Sequence, residues 1–352
     1  MSTELLARPE IRALRPYATS TSTETFIRLN ANESPAAVDT GNAKGINRYP
    51  SLRPFALTEK LATYYGVATD NILVTRGSSE GIDLLLRTFC SAGKDTVLLT
   101  PPVFELYEIY ATVQGAGCIC VPLQSERDFA LDTDALLSAC DESTKLIFLC
   151  SPNNPVGTVI PREQILQIVE ARTGKSIVVV DEAYIEFSDR ESLASLVSEY
   201  ENLVVLRTLS KALALAGARC GSVIAPGWLI ELLNAVLAPY AMSSPVINCA
   251  DQALSGEQLA EAQKQISDVV SERERLRAAL ATCEAVQTVW PSEANFLLVR
   301  FRNLASVSRA LEHAGIVIRT FGDDTTLRDC ARVTVASAAD NNLLLDALKG
   351  QA

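Results

Sequence analysis

Histidine is almost missing from this chain: His313 is the only one among 352 residues, beside two tryptophans and two methionines. That removes the commonest metal ligand and proton shuttle from nearly all of the sequence. The setting of His313, Leu311-Glu-His-Ala-Gly315, reads as a helix end rather than a catalytic position. The nine cysteines are scattered, with only Cys118 and Cys120 close together and no Cys-x-x-Cys pair. Such a pattern offers neither a zinc site nor a disulfide framework and suits reduced thiols in a cytoplasm. No stretch approaches the roughly 20 apolar residues of a membrane span, and Met1 to Glu10 lacks the basic-then-apolar order of an export signal. Positive charge is in deficit too: 31 Lys and Arg against 42 Asp and Glu give a net charge of −11. This argues against nucleic acid or another polyanion as partner. An anionic small molecule would have to be met by a local cluster of arginines.

What is present is core-forming material, 48% hydrophobic residues, in a length that suits about two domains. The middle of the chain alternates short β-branched runs with helical patterns, the mark of a mostly parallel sheet covered by helices. Asn71–Thr75, Thr96–Leu99, Lys145–Cys150, Ile177–Val180 and Leu203–Leu206 are expected strands, each nearly all apolar because both faces are covered. Ile82, Leu85, Leu86 and Phe89 mark one helix, and Ile165, Ile168 and Val169 another that Pro161 opens. After about residue 245 a long charged helix follows the stripe Ala262, Ile266, Val269, Arg273, Leu276, Leu280. Short strands at Asn295–Phe301, Gly315–Arg319 and Ala331–Val335 then suggest a smaller α+β unit, with a helix around Leu304–His313. The expected organisation is an N-terminal arm over 1–35, a large domain over 36–245 and a small domain over 246–352.

In an open α/β sheet, ligands collect beyond the carboxyl ends of the strands. There, Gly77-Ser78-Ser79 opens a helix whose free N–H groups suit an anion. Ser151-Pro-Asn-Asn-Pro155 presents amides, Asp181-Glu-Ala-Tyr184 a carboxylate and a phenol, and Arg207-Thr-Leu-Ser-Lys211 a lysine, with Arg219 soon after. Any one of these pieces is ordinary alone, since a Gly-Ser-Ser turn is usually a helix start and a lone Lys a solvated charge. Together they meet the needs of pyridoxal 5'-phosphate. Lys211 would form the Schiff base and move protons. Asp181 would keep the pyridine nitrogen protonated, while Asn154 and Tyr184 would bond the ring oxygen. Ser78, Ser79, Ser210 and Arg219 would hold the phosphate, and Tyr107 could stack on the ring face.

These same segments, Ser151 to Gly157, Asp181 to Tyr184 and Arg207 to Arg219, resemble fold-type I aminotransferases. With Leu14-Arg-Pro-Tyr17, Leu29-Asn-Ala-Asn-Glu33, Arg48-Tyr-Pro50, Ala238-Pro-Tyr240 and Ala331-Arg-Val-Thr-Val335, the resemblance narrows to the histidinol-phosphate aminotransferases and runs nearly end to end. It implies a large domain with a seven-stranded-type sheet, a small α+β domain, and transfer of an amino group between histidinol phosphate and 2-oxoglutarate. It also implies a homodimer in which Tyr49 reaches the partner's cofactor phosphate, and an anion-binding set of Tyr17, Arg319 and Arg332. Arginine forks suit phosphate and carboxylate alike. Val156, Phe104 and Ala336 stand where the family usually has Thr, Tyr and Gly. An aromatic amino-acid aminotransferase and a phosphothreonine decarboxylase on the same scaffold are the rival readings.

Overall fold

The computed structural model describes residues 2–17, 28–38, 46–322 and 325–350. Seven strands form the main sheet: β1 (Ile72–Thr75), β2 (Thr96–Leu99), β3 (Gly117–Cys120), β4 (Thr144–Cys150), β5 (Ile177–Asp181), β6 (Leu203–Thr208) and β7 (Gly221–Ile224). Their order across the sheet is β1-β7-β6-β5-β4-β2-β3. The pairs β3/β2, β2/β4, β4/β5 and β5/β6 are parallel, whereas β7 runs antiparallel to both β6 and β1.

The strands expected in this sheet are all present, and the reason they read as continuous apolar runs is visible in the packing. Alternate residues feed two different cores. Ile147, Leu149, Val178, Val180 and Val205 enter one, while Leu146, Phe148, Val179, Val204 and Leu206 enter the other. Helices Ser78–Phe89, Leu106–Gln114 and Gly227–Val236 contribute to the second core. Two strands lie beyond the sequence reading. The first, β3, is a short, partly exposed edge strand in which only Ile119 strongly favours β-structure, and β7 begins Gly-Ser, with little β-propensity to announce it. The glycine in β7 is sterically required: a Cβ on Gly221 would lie 2.6 Å from Gly77 C and Ser78 N and 2.8 Å from Arg207 O.

Four further strands, β8 (Val286–Val289), β9 (Phe296–Phe301), β10 (Arg319–Thr320) and β11 (Cys330–Thr334), make an antiparallel sheet in the order β10-β11-β9-β8. The long helix Gly256–Ala281 and the helices Leu304–His313 and Ala338–Ala347 cover it, closing a third core around Leu276, Leu297, Val299, Phe301 and Val333. The strand expected over 315–319 is reduced to the two residues of β10, and β8 is a strand the sequence pattern did not reveal. Buried Arg273 of the long helix donates to the carbonyls of Phe187 and Ala294, both at 3.0 Å. It thereby ties this unit to the segment after β5.

Candidate active site

The parallel strands β4, β5 and β6 end side by side, with Cys150 level with Asp181 and Asp181 level with Leu206. The turns beyond them surround a cavity of about 250 Å³ lined by Ser78, Ser79, Asn154, Asp181, Tyr184, Ser210, Lys211, Arg219 and Arg332, among others. The structure thus gathers nine of the sequence-derived residues around one space. Three of the lining side chains are cationic, Lys211, Arg219 and Arg332, against one carboxylate, Asp181.

Each is placed by its local backbone. Gly77 takes φ 76° to turn the chain from β1 into helix Ser78–Phe89, and no side chain caps the first turn. Its leading N–H groups therefore remain available to a ligand. Arg219, itself at φ 55°, lays its guanidinium over Gly77 so closely that a Cβ there would meet Nη2 at 2.7 Å. Arg219 Nη1 donates to Ser210 Oγ at 3.4 Å. Neither Arg219 nor Arg332 has a carboxylate in ion-pair reach among the described residues, so two guanidinium groups point at a space without a fixed counter-charge.

Asn153 braces the Ser151–Gly157 turn. Its amide donates to Pro102 O at 3.3 Å, its Oδ1 accepts from Val156 N at 3.1 Å, and its N–H reaches Thr158 O at 2.7 Å. That leaves Asn154 to face the cavity, where its Oδ1 accepts from Arg332 Nη1. With the carbonyl oxygen occupied, the amide nitrogen is the group it can offer a ligand. The Arg332 guanidinium also lies 5.3 Å from the centre of the Phe296 ring, and Phe296 meets Tyr184 edge-on at 5.1 Å.

Lys211 Nζ lies 5.5 Å from the centre of the Tyr184 ring. Desolvation and then the positive charges of Arg332 and Arg219 pull its pKa below the ordinary lysine value, against the opposing pull of Asp181. A larger share of neutral, nucleophilic amine results. Asp181 is 4% exposed, and burial pushes its pKa up, while Tyr107, the Ala183 N–H and Lys211 favour its charged form. A phosphorylated, electron-poor ring aldehyde suits this donor set: an amine with lowered pKa, one buried carboxylate, and a helix start beside an unpaired arginine.

Four expected residues do not line the cavity. Tyr107, read from sequence as a stacking ring, is fully buried behind it. The hydroxyl donates to Asp181 Oδ2 at 2.7 Å, and the ring stacks on Phe148 with centroids 4.8 Å apart. Tyr107 lies in the first turn of helix Leu106–Gln114 and turns inward; the aromatic that lines the cavity is Phe104, just before that helix. Arg319 is directly opposite Arg332 across the β10/β11 pair, a like-charge juxtaposition that is unfavourable without an anion. In this structure it turns to Glu105, with Nη2 2.8 Å from Oε1. Tyr17 is 60% exposed. Tyr49 is half exposed and stacks on Tyr240 at 4.5 Å, in a separate and larger hollow of about 570 Å³ that also includes Glu33 and Arg48. That hollow exceeds the first in size but contains no lysine and no unpaired arginine like those around Asp181. Phe104, Phe296 and Glu105 are the neighbours that sequence reasoning did not assign, because their relevance depends on contacts distant in the chain. His313, as expected of a helix end, bonds the Arg309 carbonyl at 2.7 Å.

Comparison with known proteins agrees with this geometry. The family model "Aminotransferase class I and II" matches residues 17–348. The chain is 43% identical over 348 residues to a histidinol-phosphate aminotransferase of Xylella fastidiosa strain Temecula1, covering 98% of this chain and 95% of that one. To the histidinol-phosphate aminotransferase of Escherichia coli strain SMS-3-5 it is 40% identical, covering 98% and 97%. Among solved structures, that of histidinol-phosphate aminotransferase from Sinorhizobium meliloti in complex with pyridoxal-5'-phosphate superposes with TM-score 0.77 at 25% identity, covering 87% of this chain and 84% of that one.

Proposed function

The chain belongs to the class I and II aminotransferases, among the histidinol-phosphate aminotransferases, and from that footing we propose that it carries pyridoxal 5'-phosphate on Lys211 and moves the amino group of L-histidinol phosphate to 2-oxoglutarate. The products are imidazole-acetol phosphate and L-glutamate, a step of histidine biosynthesis. The observation that carries the reading is the charge of the cavity: three cations against one carboxylate, in a chain of net charge −11. A site of that sign suits two anions at once, the cofactor phosphate and the substrate's phosphate or carboxylate.

When bound, the cofactor supplies an electron sink for the pair left behind as the substrate Cα proton departs. The chain's own residues do the rest. Ser78, Ser79, Ser210 and Arg219 hold the phosphate with the free N–H groups of the helix start. Asp181 would pair with the ring nitrogen, and the Asn154 amide and Tyr184 hydroxyl would bond the ring oxygen. Lys211 would serve as the base that takes the substrate's Cα proton and as the acid that gives a proton back. Its lowered pKa suits a base that must be neutral to act. Arg332 binds the anionic end of either substrate in turn, supported by Arg319 and Tyr17 when these swing from their positions at Glu105 and solvent.

Tyr49 is assigned to the other protomer's cofactor phosphate in a homodimer with shared sites. Its exposed position away from its own chain's cavity supports this. Mixing Tyr49→Phe with Lys211→Ala subunits should then restore one intact site per hybrid dimer, and no regained activity would count against sharing. A cytoplasmic location fits nine cysteines that form no disulfide with one another; among the described residues no helix is long and apolar enough to cross a membrane.

The decisive experiment adds L-histidinol phosphate alone to the cofactor-loaded protein and follows the visible absorption. A spectral change reversed by 2-oxoglutarate is expected. A silent spectrum with histidinol phosphate, but a change with phenylalanine, would move the enzyme to aromatic amino acids.

A further inference from the structure

Tyr107 is fully buried and does not line the cavity, yet its hydroxyl bonds the one carboxylate that does. The two Asp181 oxygens are held separately: Oδ2 accepts from Tyr107 at 2.7 Å and Oδ1 from the Ala183 N–H at 3.1 Å. Tyr107 is in turn fixed by the Phe148 ring lying nearly parallel to it, 14° between planes, and by Phe104 standing at 90° to it, 5.8 Å away. Phe104 itself lines the cavity. One side chain therefore braces two walls of the site, the carboxylate and the aromatic.

We propose that Tyr107 is a positioning residue whose hydroxyl fixes the Asp181 carboxylate in one orientation and keeps it ionised for the cofactor's ring nitrogen. This rests on the function proposed above. A buried carboxylate in apolar surroundings tends to neutralise itself by taking a proton. A neutral acid could not offer the ring nitrogen a charge. The titratable groups facing Asp181 are Tyr107, Cys150, Tyr184 and Lys211. Burial raises the pKa of Cys150 and Tyr184, so both stay uncharged at neutral pH. Lys211 is to be occupied by the cofactor. The Tyr107 phenol, also kept neutral by burial, is left as the side-chain donor that holds the charge on Asp181.

Tyr107→Phe removes the hydroxyl and keeps the ring with both aromatic contacts. The test titrates cofactor-free protein with pyridoxal 5'-phosphate, reading intrinsic fluorescence across a range of pH. A bond to a charged group is worth enough that the variant's Kd should rise roughly ten- to a hundredfold. Affinity should also begin to fall at a higher pH than in the wild type, since losing the donor moves the Asp181 pKa further up and the charged form is lost as pH drops through it. A double-mutant cycle separates positioning from bulk stability. If Tyr107 acts through Asp181, adding Tyr107→Phe to Asp181→Asn costs much less than it does in the wild type. An unchanged Kd and pH edge, or full additivity in the cycle, would overturn the assignment. Failure of wild-type protein to bind the cofactor at all would instead sink the underlying function.

Discussion

Gly221→Ala should damage the proposed phosphate cradle without replacing any residue assigned to bind a ligand. The added methyl would lie 2.6 Å from Gly77 C and Ser78 N and 2.8 Å from Arg207 O, where ordinary contact starts at 3.4 Å. All three neighbours are main chain, one in a central strand and two at the start of helix Ser78–Phe89, so no side chain can rotate out of the way. Something in the backbone must shift by about 0.8 Å. Overpacking of this kind costs about 1–3 kcal/mol in stability. Moving the leading N–H groups of the helix by that distance also takes them from good hydrogen-bond range to poor. A loss of about 2 kcal/mol in bonds to the phosphate is roughly a thirtyfold rise in Kd. Gly81→Ala is the matched control in the first turns of the same helix. Its methyl would press on buried side chains, Val223 Cγ2 at 2.7 Å and Leu206 Cδ2 at 3.1 Å, so it should lower the melting temperature while leaving the helix-start N–H groups, and cofactor affinity, in place. Reconstitution of both cofactor-free proteins with pyridoxal 5'-phosphate, alongside thermal melts, checks the pair. A Gly221→Ala protein that binds within twofold of wild type and melts normally would refute the steric reasoning.

In cofactor-free protein, the lowered pKa of Lys211 should let its amine react with a simple aldehyde probe with a pH midpoint below 10.5, the ordinary lysine value. Arg332→Ala removes a nearby positive charge and should raise that midpoint; titration of the adduct's absorbance decides, and an unmoved midpoint would exclude the coupling. The same variant should raise KM for histidinol phosphate and 2-oxoglutarate alike, on the order of tenfold to a hundredfold for a lost charge-assisted contact; steady-state kinetics with only one substrate affected would assign Arg332 to that substrate alone. Arg207→Leu strips the counter-charge from Glu182 and Glu186, which it reaches at 3.5 and 2.7 Å, and breaking such a buried cluster costs about 3–5 kcal/mol. Burial has pushed the Glu182 pKa up, so the folded group binds its proton more readily than the unfolded one, and stability should recover as pH falls and drop as it rises. Melting curves from about pH 5 to 8 read the slope, and the opposite sign would refute it.

The central part of the fold was legible because β4, β5 and β6 are buried on both faces, and that demand leaves runs such as Leu146–Cys150 and Ile177–Val180 with no polar interruption. The polar residues just beyond each run were legible for the same reason, since the ends of parallel strands share one edge. The reversed strand β7 was not legible: only Val223 and Ile224 of its four residues favour a strand, and Gly221 is there because the backbone of Gly77, Ser78 and Arg207 leaves no room for a Cβ. Tyr107 was misplaced because distance from a strand end does not say which way a first helical turn faces. Three residues earlier, Phe104 occupies the wall instead. Arg319 and Glu105 meet across 214 positions, a contact no local pattern encodes, and the strand expected over 315–319 survives only as the two residues of β10.

Because β7 runs against its neighbours, the chain leaves the sheet at Thr208 and re-enters at Gly221, directly opposite across the β6/β7 pair. Lys211 and Arg219 therefore ride on one excursion, pinned inside by Leu209 N to Cys220 O and Leu215 N to Leu209 O, at 3.0 and 3.1 Å. A ligand gripped by the amine at one point and the guanidinium at another is a strap across that excursion. Its binding stabilises the loop by an amount that grows with the logarithm of free ligand above its Kd. Emptied of cofactor, residues 209–220 lose that strap while the sheet behind them keeps its cores. Proteolytic nicking should then begin in this excursion, and saturating pyridoxal 5'-phosphate should suppress it there first.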